Sequence, residues 1–443
     1  MTKFTPIAPD LHERSQTAEA AVCGRLIPAG GERPTAGPFD REAGLQAADQ
    51  IMAPARVAAG DRRGRGAALN PKGRFEKLAV EAVPEGAESA DDDTRPPGRR
   101  PTQVQAEKPR HIISRNDSPD IPYDFSINPY RGCEHGCIYC YARPSHAYMG
   151  LSAGLDFETR LFARPEAAAL LRRELAQPSY RPHLIVLGSN TDPYQPVEKR
   201  YGITRSVLET LFAARHPVRI ITKSALVLRD SDILAAMARE RLAHVAFSIT
   251  SLDNRLARRL EPRAAAPARR LQAMRQLAGL DVPVSLMLAP VIPALNDHEI
   301  ENIVRAAADA GAITADYTLL RLPYEVAPLF KDWLLRHYPD KYRRIIGQLR
   351  LLRGGKDNDA RPHSRMRGQG VPAALLARRF QLATARYGLN RQKIHLTRCL
   401  FRVPPAWLPT AEGAPPHPPA PARQQGGAAA SKQSRAEQQL LLL

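Results

Sequence analysis

Between residues 111 and 403 short apolar runs alternate with amphipathic stretches. The runs at 183–188, 218–222, 244–250, 284–289 and 316–320 are brief and nearly continuous in apolar residues, the pattern of buried strands. A further strand is expected near 124–128. Between them, apolar residues recur at helical spacing. Ile203, Val207, Leu208, Leu211 and Phe212 form one stripe, and 165–177, 230–241 and 268–279 read likewise. Another helix opens on Asn296, Asp297, His298 and Glu299, a capping-box-like start, and stops at Gly311. Strand–helix alternation with apolar strands predicts an α/β fold whose parallel sheet is covered by helices. Six βα units are too few for an eight-fold barrel and fit a partial (β/α)6 TIM-like barrel. After Glu325 the strands stop, and two or three helices follow to about Leu389.

Composition divides the chain further. The 443 residues include 40 prolines and carry a formal charge of +19. Residues 1–110 mix Pro, Gly and Ala with charge blocks and net only +1. Such a segment buries too little apolar surface to offset its ordering entropy, so it is expected to be largely disordered. The Pro/Ala/Gln-rich tail, 404–443, also nets +1 and carries the same expectation. That leaves +17 on 111–403: a barrel at 111–325 and a helical C-terminal extension at 326–403. Five cysteines exclude a secreted disulfide scaffold. With no apolar leader and no apolar run of about 18 residues, a cytoplasmic protein is expected.

Three of the cysteines cluster. Cys133, Cys137 and Cys140 lie in Cys-x3-Cys-x2-Cys, with Gly132 and Gly136 giving the loop room to wrap a metal. A zinc site recruiting His135 or His146 and a four-iron cluster with one open iron both suit three thiolates. Cys23 and Cys399 lie far off in the chain. The loop follows the first expected barrel strand, where ligand sites gather at strand C-termini.

This arrangement, with the aromatic Tyr139 before the last cysteine, resembles the radical S-adenosylmethionine (radical SAM) superfamily. Within it the chain is most similar to spore photoproduct lyase and its uncharacterised bacterial relatives. The segments carrying the likeness are 126–133, 188–196, 221–224, 247–253, 261–263 and 289–293. The resemblance implies a [4Fe–4S] cluster on Cys133, Cys137 and Cys140 and S-adenosyl-L-methionine on its open iron. It also implies reductive cleavage to a 5′-deoxyadenosyl radical, with electrons from a flavodoxin or ferredoxin. Asn190, Thr191, Asp192, Lys223 and Ser248 then become the expected cofactor contacts, and Tyr139 and Tyr141 the expected catalytic residues. One position departs from the pattern. Ser189 stands where the lyase has its hydrogen-donating cysteine, and a serine O–H bond is far stronger than a thiol S–H bond. Reversal of a photoproduct is therefore not the expected reaction.

Nine basic residues between Lys341 and Arg367, near Tyr338 and Tyr342, raise a nucleic-acid partner, with Arg343, Arg344, Arg365 and Arg367 as expected contacts. Arg62, Arg63, Arg65, Arg99 and Arg100 would add phosphate affinity. The competing expectation is a zinc-stabilised nucleic-acid-binding protein without catalysis.

Overall fold

The computed structural model describes residues 64–71, 74–75 and 101–408. Most of the expected disordered ends, with Cys23, Arg62, Arg63, Arg99 and Arg100, lie outside the described residues. Ten strands are described: β1 (Gln103–Ala106), β2 (Ile113–Arg115), β3 (Phe125–Ile127), β4 (Tyr130–Arg131), β5 (Arg160–Ala163), β6 (Ile185–Leu187), β7 (Val218–Thr222), β8 (Ala243–Ser248), β9 (Val284–Val291) and β10 (Thr314–Leu319). Seven of them form one sheet in the order β10-β9-β8-β7-β6-β3-β2. From β3 to β10 every pair is parallel, and only β2 runs antiparallel. This is the six-unit partial barrel. Strands β1, β5 and β4 make a small side sheet beside the cysteine loop.

Each crossover is helical: α1 (Ala167–Leu175), α2 (Ile203–Ala213), α3 (Ser231–Arg239), α4 (Pro267–Ala278) and α5 (Ile300–Asp309). Alternation along the strands sorts the two faces of the sheet. Val218, Ile220, Val245, Phe247, Leu286, Leu288 and Leu319 are buried with the apolar stripes of the helices. Each such side chain stabilises the fold by about 1.5–3 kcal/mol. The residues between them, including Arg219, Lys223, Ser248, Met287, Asp316 and Thr318, line the barrel lumen. The core is therefore an outer layer, and the lumen is left for ligands.

Two local expectations change. Asn296 does not cap α5; its side-chain oxygen accepts from Ile292 N (2.6 Å) and its amide donates to the carbonyls of Thr250 and Pro290. Glu299 accepts from Ser251 Oγ (2.6 Å) and Leu252 N (2.7 Å), tying the β8 and β9 exits together. Gly311, at φ +89°, does end the helix, where a left-handed residue is needed.

The C-terminal extension, α6 (Val326–His337), α7 (Tyr342–Leu352) and α8 (Gly370–Arg386), closes the open side of the barrel. Asn390 covers the β10 edge, accepting from Ala315 N (2.8 Å) and donating to Ala315 O (3.0 Å), as a neighbouring strand would. Across the seam, the Arg365 guanidinium bonds Asp120 and Ser118, and His363 N donates to Asp120 (3.0 Å). The pair is nearly inaccessible, at 4% and 2% side-chain exposure. Desolvation pushes the Asp120 carboxyl up, but the bonds from Arg365 and His363 outweigh it and hold its pKa at about 2.

Two outcomes follow for this latch. Arg365→Ala leaves a buried carboxylate unpaired and is expected to lower unfolding stability by about 3 kcal/mol, with part restored in the Asp120→Ala, Arg365→Ala double variant. A depressed carboxyl pKa stabilises above the unfolded value, about 4, and that stabilisation fades as pH falls toward 2. Urea denaturation of the wild-type and double-variant proteins should thus show a stability difference that shrinks below pH 4.

Candidate functional site

The loop between β4 and the following turns carries the three cysteines, and its backbone is fixed from several sides. Cys133 N donates to Phe157 O (2.9 Å), Glu134 N to Gln195 Oε1 (2.9 Å) and Ile138 N to Leu260 O (3.1 Å). Gly136 adopts φ +65°, and a Cβ there would lie 2.7 Å from a Glu158 oxygen, so the loop turns where only glycine fits.

Beneath the loop lies a buried ion pair. Arg143 and Glu158 are both fully inaccessible. Arg143 Nε donates to Cys137 O (2.9 Å), and Nη1 donates to Ala153 O (3.1 Å) and Gly154 O (2.8 Å). Its Nη2 donates to Glu158, whose carboxylate also accepts from Gly66 N and Ala67 N, both at 2.9 Å. The strap 64–71 is thereby drawn against the loop. A Cβ on Gly66 would come within 1.9 Å of Gly136 O. The strap lies inside the 1–110 segment expected to be largely disordered, yet Arg65 to Leu69 are buried in the body. Arg65 shares this placement. It donates to Glu158 O (2.7 Å) and is buried, unavailable to a phosphate.

Above the loop the three thiols line one cavity of about 440 Å³ together with the lumen residues of β6 to β10. Burial pushes the Cys137 thiol up to about 12, with the Glu261 charge adding to it. Burial also raises Cys133, helped by Asp192, and Cys140. Among the described residues no three His, Cys, Asp or Glu side chains converge closely enough to hold one metal ion. His146 turns away from the cavity, bonding Arg160 O (2.9 Å) against Phe157, and burial lowers its pKa to about 4. His135 lines the cavity beside Asp192 (3.4 Å). Three thiols on one wall of one cavity suit a multi-iron cluster, in which each thiolate takes its own iron.

The expected cofactor contacts divide. Asp192 is buried and fully engaged: Oδ1 accepts from Thr222 Oγ1 (2.7 Å) and Tyr194 N (2.9 Å), and Oδ2 from Lys223 N (2.7 Å). Desolvation raises its pKa, and His135 and these donors more than reverse it. Lys223 Nζ donates to Ser248 Oγ (2.8 Å), which donates to Ala289 O (3.2 Å). Asn190, Asp192, Lys223 and Ser248 all line the cavity. Thr191 does not; its hydroxyl donates to Tyr130 O (2.7 Å), anchoring the turn.

Tyr139 and Tyr141 both border the cavity, in different settings. The Tyr139 hydroxyl donates to Glu261 and shares a 3.1 Å contact with Thr250. Glu261 is in turn paired with the buried Arg270, whereas Arg263 pairs with Glu134 (3.1 Å). Glu261 and Arg263, two residues apart, thus pair with different partners. Desolvation raises the Glu261 carboxyl, yet Arg270 and Lys223 bring it down to about 2. Tyr141 donates to Ser189 O, and Ser189 Oγ accepts from Asn128 Nδ2 (3.2 Å). Cys399 is exposed and does not line the cavity.

The expected basic face between Lys341 and Arg367 does not hold together. Arg353 is buried, donating to the carbonyls of Leu320, Ser364 and Arg365. Arg350 pairs with Asp357 (2.7 Å) and Arg361 with Asp359 (2.9 Å). Arg365 is the latch, and Arg367 turns to Asp316 and Tyr317 O at the lumen rim. Arg343 and Arg344 remain on the exposed side of α7. Tyr338 packs on Trp333, with ring centroids 5.5 Å apart.

Comparison with known proteins agrees with the cysteine loop and the barrel. The model of the radical SAM superfamily matches residues 127–307. An uncharacterized protein of Mycobacterium tuberculosis is 35% identical over 230 residues, covering 51% of this chain and 68% of its own. An uncharacterized protein of Methanocaldococcus jannaschii is 26% identical over 254 residues, covering 57% and 88%. Among solved structures, spore photoproduct lyase complexed with dinucleoside spore photoproduct covers 65% of this chain and 80% of that one, at 15% identity and a TM-score of 0.48.

The Arg143–Glu158 pair makes the loop testable apart from any ligand. In Glu158→Gln a buried guanidinium loses its counter-charge, and the new amide presents a donor where two backbone N–H groups already donate. Urea denaturation of the metal-free protein is expected to show a loss of about 3 kcal/mol. A loss below about 1 kcal/mol would mean that the pair does not hold the loop.

Proposed function

The chain belongs to the radical SAM superfamily, and from that premise we propose that it is a radical enzyme acting on a substrate bound in the barrel lumen. The single observation carrying this reading is the shared cavity: the three motif cysteines at one end, the inward polar residues of the barrel strands at the other. In this reading Cys133, Cys137 and Cys140 hold a [4Fe–4S] cluster, and Asn190, Asp192, Lys223 and Ser248 receive S-adenosyl-L-methionine. Bound together, these groups supply one-electron reductive cleavage of a carbon–sulfur bond and hydrogen-atom abstraction from the substrate.

The chain's own residues prepare that chemistry in three ways. Asp192 stays ionised in a buried position because its oxygens are fully donated to, so it offers a fixed negative charge to an ammonium group. Lys223 is pre-positioned by Ser248 and lies 5.8 Å from the Tyr139 ring centroid, bringing a cation to the cysteine wall. The latch places Asp120 on the cavity wall, and the strap backs the cysteine loop that forms another part of that wall. Ser189 does not take over the role of a hydrogen-donating thiol, and Tyr141, whose hydroxyl lies against the Ser189 carbonyl, is the lumen group best suited to pass a hydrogen atom. Electron supply falls to a flavodoxin- or ferredoxin-type donor.

The test is release of 5′-deoxyadenosine by the anaerobically reconstituted chain with dithionite and S-adenosyl-L-methionine. Wild-type protein is expected to release it, and Cys133→Ala, Cys137→Ala and Cys140→Ala each to fall at least about 100-fold, since losing a cluster ligand removes the site. Undiminished release from any one of the three would overturn the assignment.

A further inference from the structure

The lumen holds two arginines that the chemistry above does not use. Arg219 is the second residue of β7, and its inward register sets it between His244 on β8 and Tyr123 before β3. Its Nε is buried with no hydrogen-bond partner, and no carboxylate lies within 4 Å of it among the described residues. Asp316, the acidic group whose charge it feels, is committed to Arg367. His244 gives no counter-charge: burial, reinforced by Arg219 itself, lowers its pKa to about 3 and leaves the ring neutral. Arg321, just beyond β10, repeats the situation. Its Nε is also buried without a partner, its guanidinium carbon lies 5.3 Å from the Tyr141 ring centroid, and its one side-chain polar contact among the described residues is 3.9 Å to Met366 Sδ.

A guanidinium stays charged at any ordinary pH, and burying it without an anion is costly. Elsewhere among the described residues buried arginines are paired with a carboxylate or bonded to backbone carbonyls: Arg143 with Glu158, Arg270 with Glu261, Arg365 with Asp120, and Arg353 with the carbonyls of Leu320, Ser364 and Arg365. Arg219 and Arg321, both part-buried, have neither kind of partner among the described residues, and both face the cavity that holds the three cysteines. The missing partner is an anion that enters with the ligand. The phenols of Tyr123 and Tyr141 line the same cavity, so its walls offer further donors and aromatic faces. That combination matches a tetrahedral phosphate attached to a flat ring better than a planar carboxylate.

We propose that the lumen recognises its substrate through a phosphate ester held by Arg219 and Arg321, which makes the substrate a nucleotide or a nucleic-acid strand. The inference rests on the radical-enzyme reading for what happens to that substrate, but the phosphate contact itself requires no turnover. The basic run on the surface is not needed for it.

The experiment measures binding to the anaerobically prepared full chain in phosphate-free buffer. The probes are inorganic phosphate, adenosine 5′-monophosphate, a short oligo-dT strand and acetate, read by 31P line broadening for the phosphates and by shift of Tm for all four. Phosphate-bearing probes are expected to bind and acetate not, with affinity at least 10-fold weaker in Arg219→Gln and in Arg321→Gln and partly restored in Arg219→Lys. Tighter binding of the mononucleotide assigns a free nucleotide, and tighter binding of the strand a nucleic acid. Unchanged phosphate affinity in both glutamine variants, no binding of any phosphate probe, or equal binding of acetate would each overturn the proposal. Iron content and 5′-deoxyadenosine release, measured on the same wild-type preparation, report separately on the radical-enzyme reading. Either can therefore fail without the other.

Discussion

Everything at the site depends on one buried ion pair. Arg143 and Glu158 have given up all contact with water, and each meets its desolvation cost through a full set of hydrogen bonds. Through those bonds the pair fixes four things at once: the Cys137 carbonyl, the turn at Ala153–Gly154, the helical turn bearing Glu158, and the strap that carries Gly66 and Ala67. Charged hydrogen bonds are directional, so they set the shape of the cysteine loop more sharply than apolar packing would. With the loop fixed, the thiols of Cys133, Cys137 and Cys140 present themselves to one cavity.

The barrel completes that arrangement by dividing labour between its two faces. Outward positions of β7 to β10 make the core with the helices, and inward positions carry polar groups into the lumen. A six-stranded open barrel leaves a seam, which the Arg365–Asp120 latch and Asn390 close from the C-terminal extension. The extension is thus part of the site's wall rather than an appendage. Among its basic residues, Arg350, Arg353, Arg361, Arg365 and Arg367 are engaged within the fold.

The strands and helices of the barrel were legible because apolar period and length agree there. The strand at 218–222 is matched to the residue, and the helices at 165–177 and 268–279 begin and end within two residues of the elements found. The cysteine loop was legible because three thiols at short spacing have few other uses. The strap was not, since Gly66, Ala67 and Ala68 have no apolar period and are buried through backbone contacts. Arg143, Glu158 and Arg365 carry no local sequence sign of burial, because their partners lie 15 to 245 residues away. Arg219 left a signal that went unread: a lone cation at an inward position of an otherwise apolar strand.

The central claim is that the three cysteines hold a cluster with an iron open to S-adenosyl-L-methionine. Electron paramagnetic resonance of the anaerobic, dithionite-reduced chain tests it most directly, with iron and sulfide counted on the same sample. The account predicts about four iron and four sulfide per chain and a reduced-cluster signal that changes on adding S-adenosyl-L-methionine. One zinc per chain, or a cluster signal indifferent to S-adenosyl-L-methionine, would contradict it.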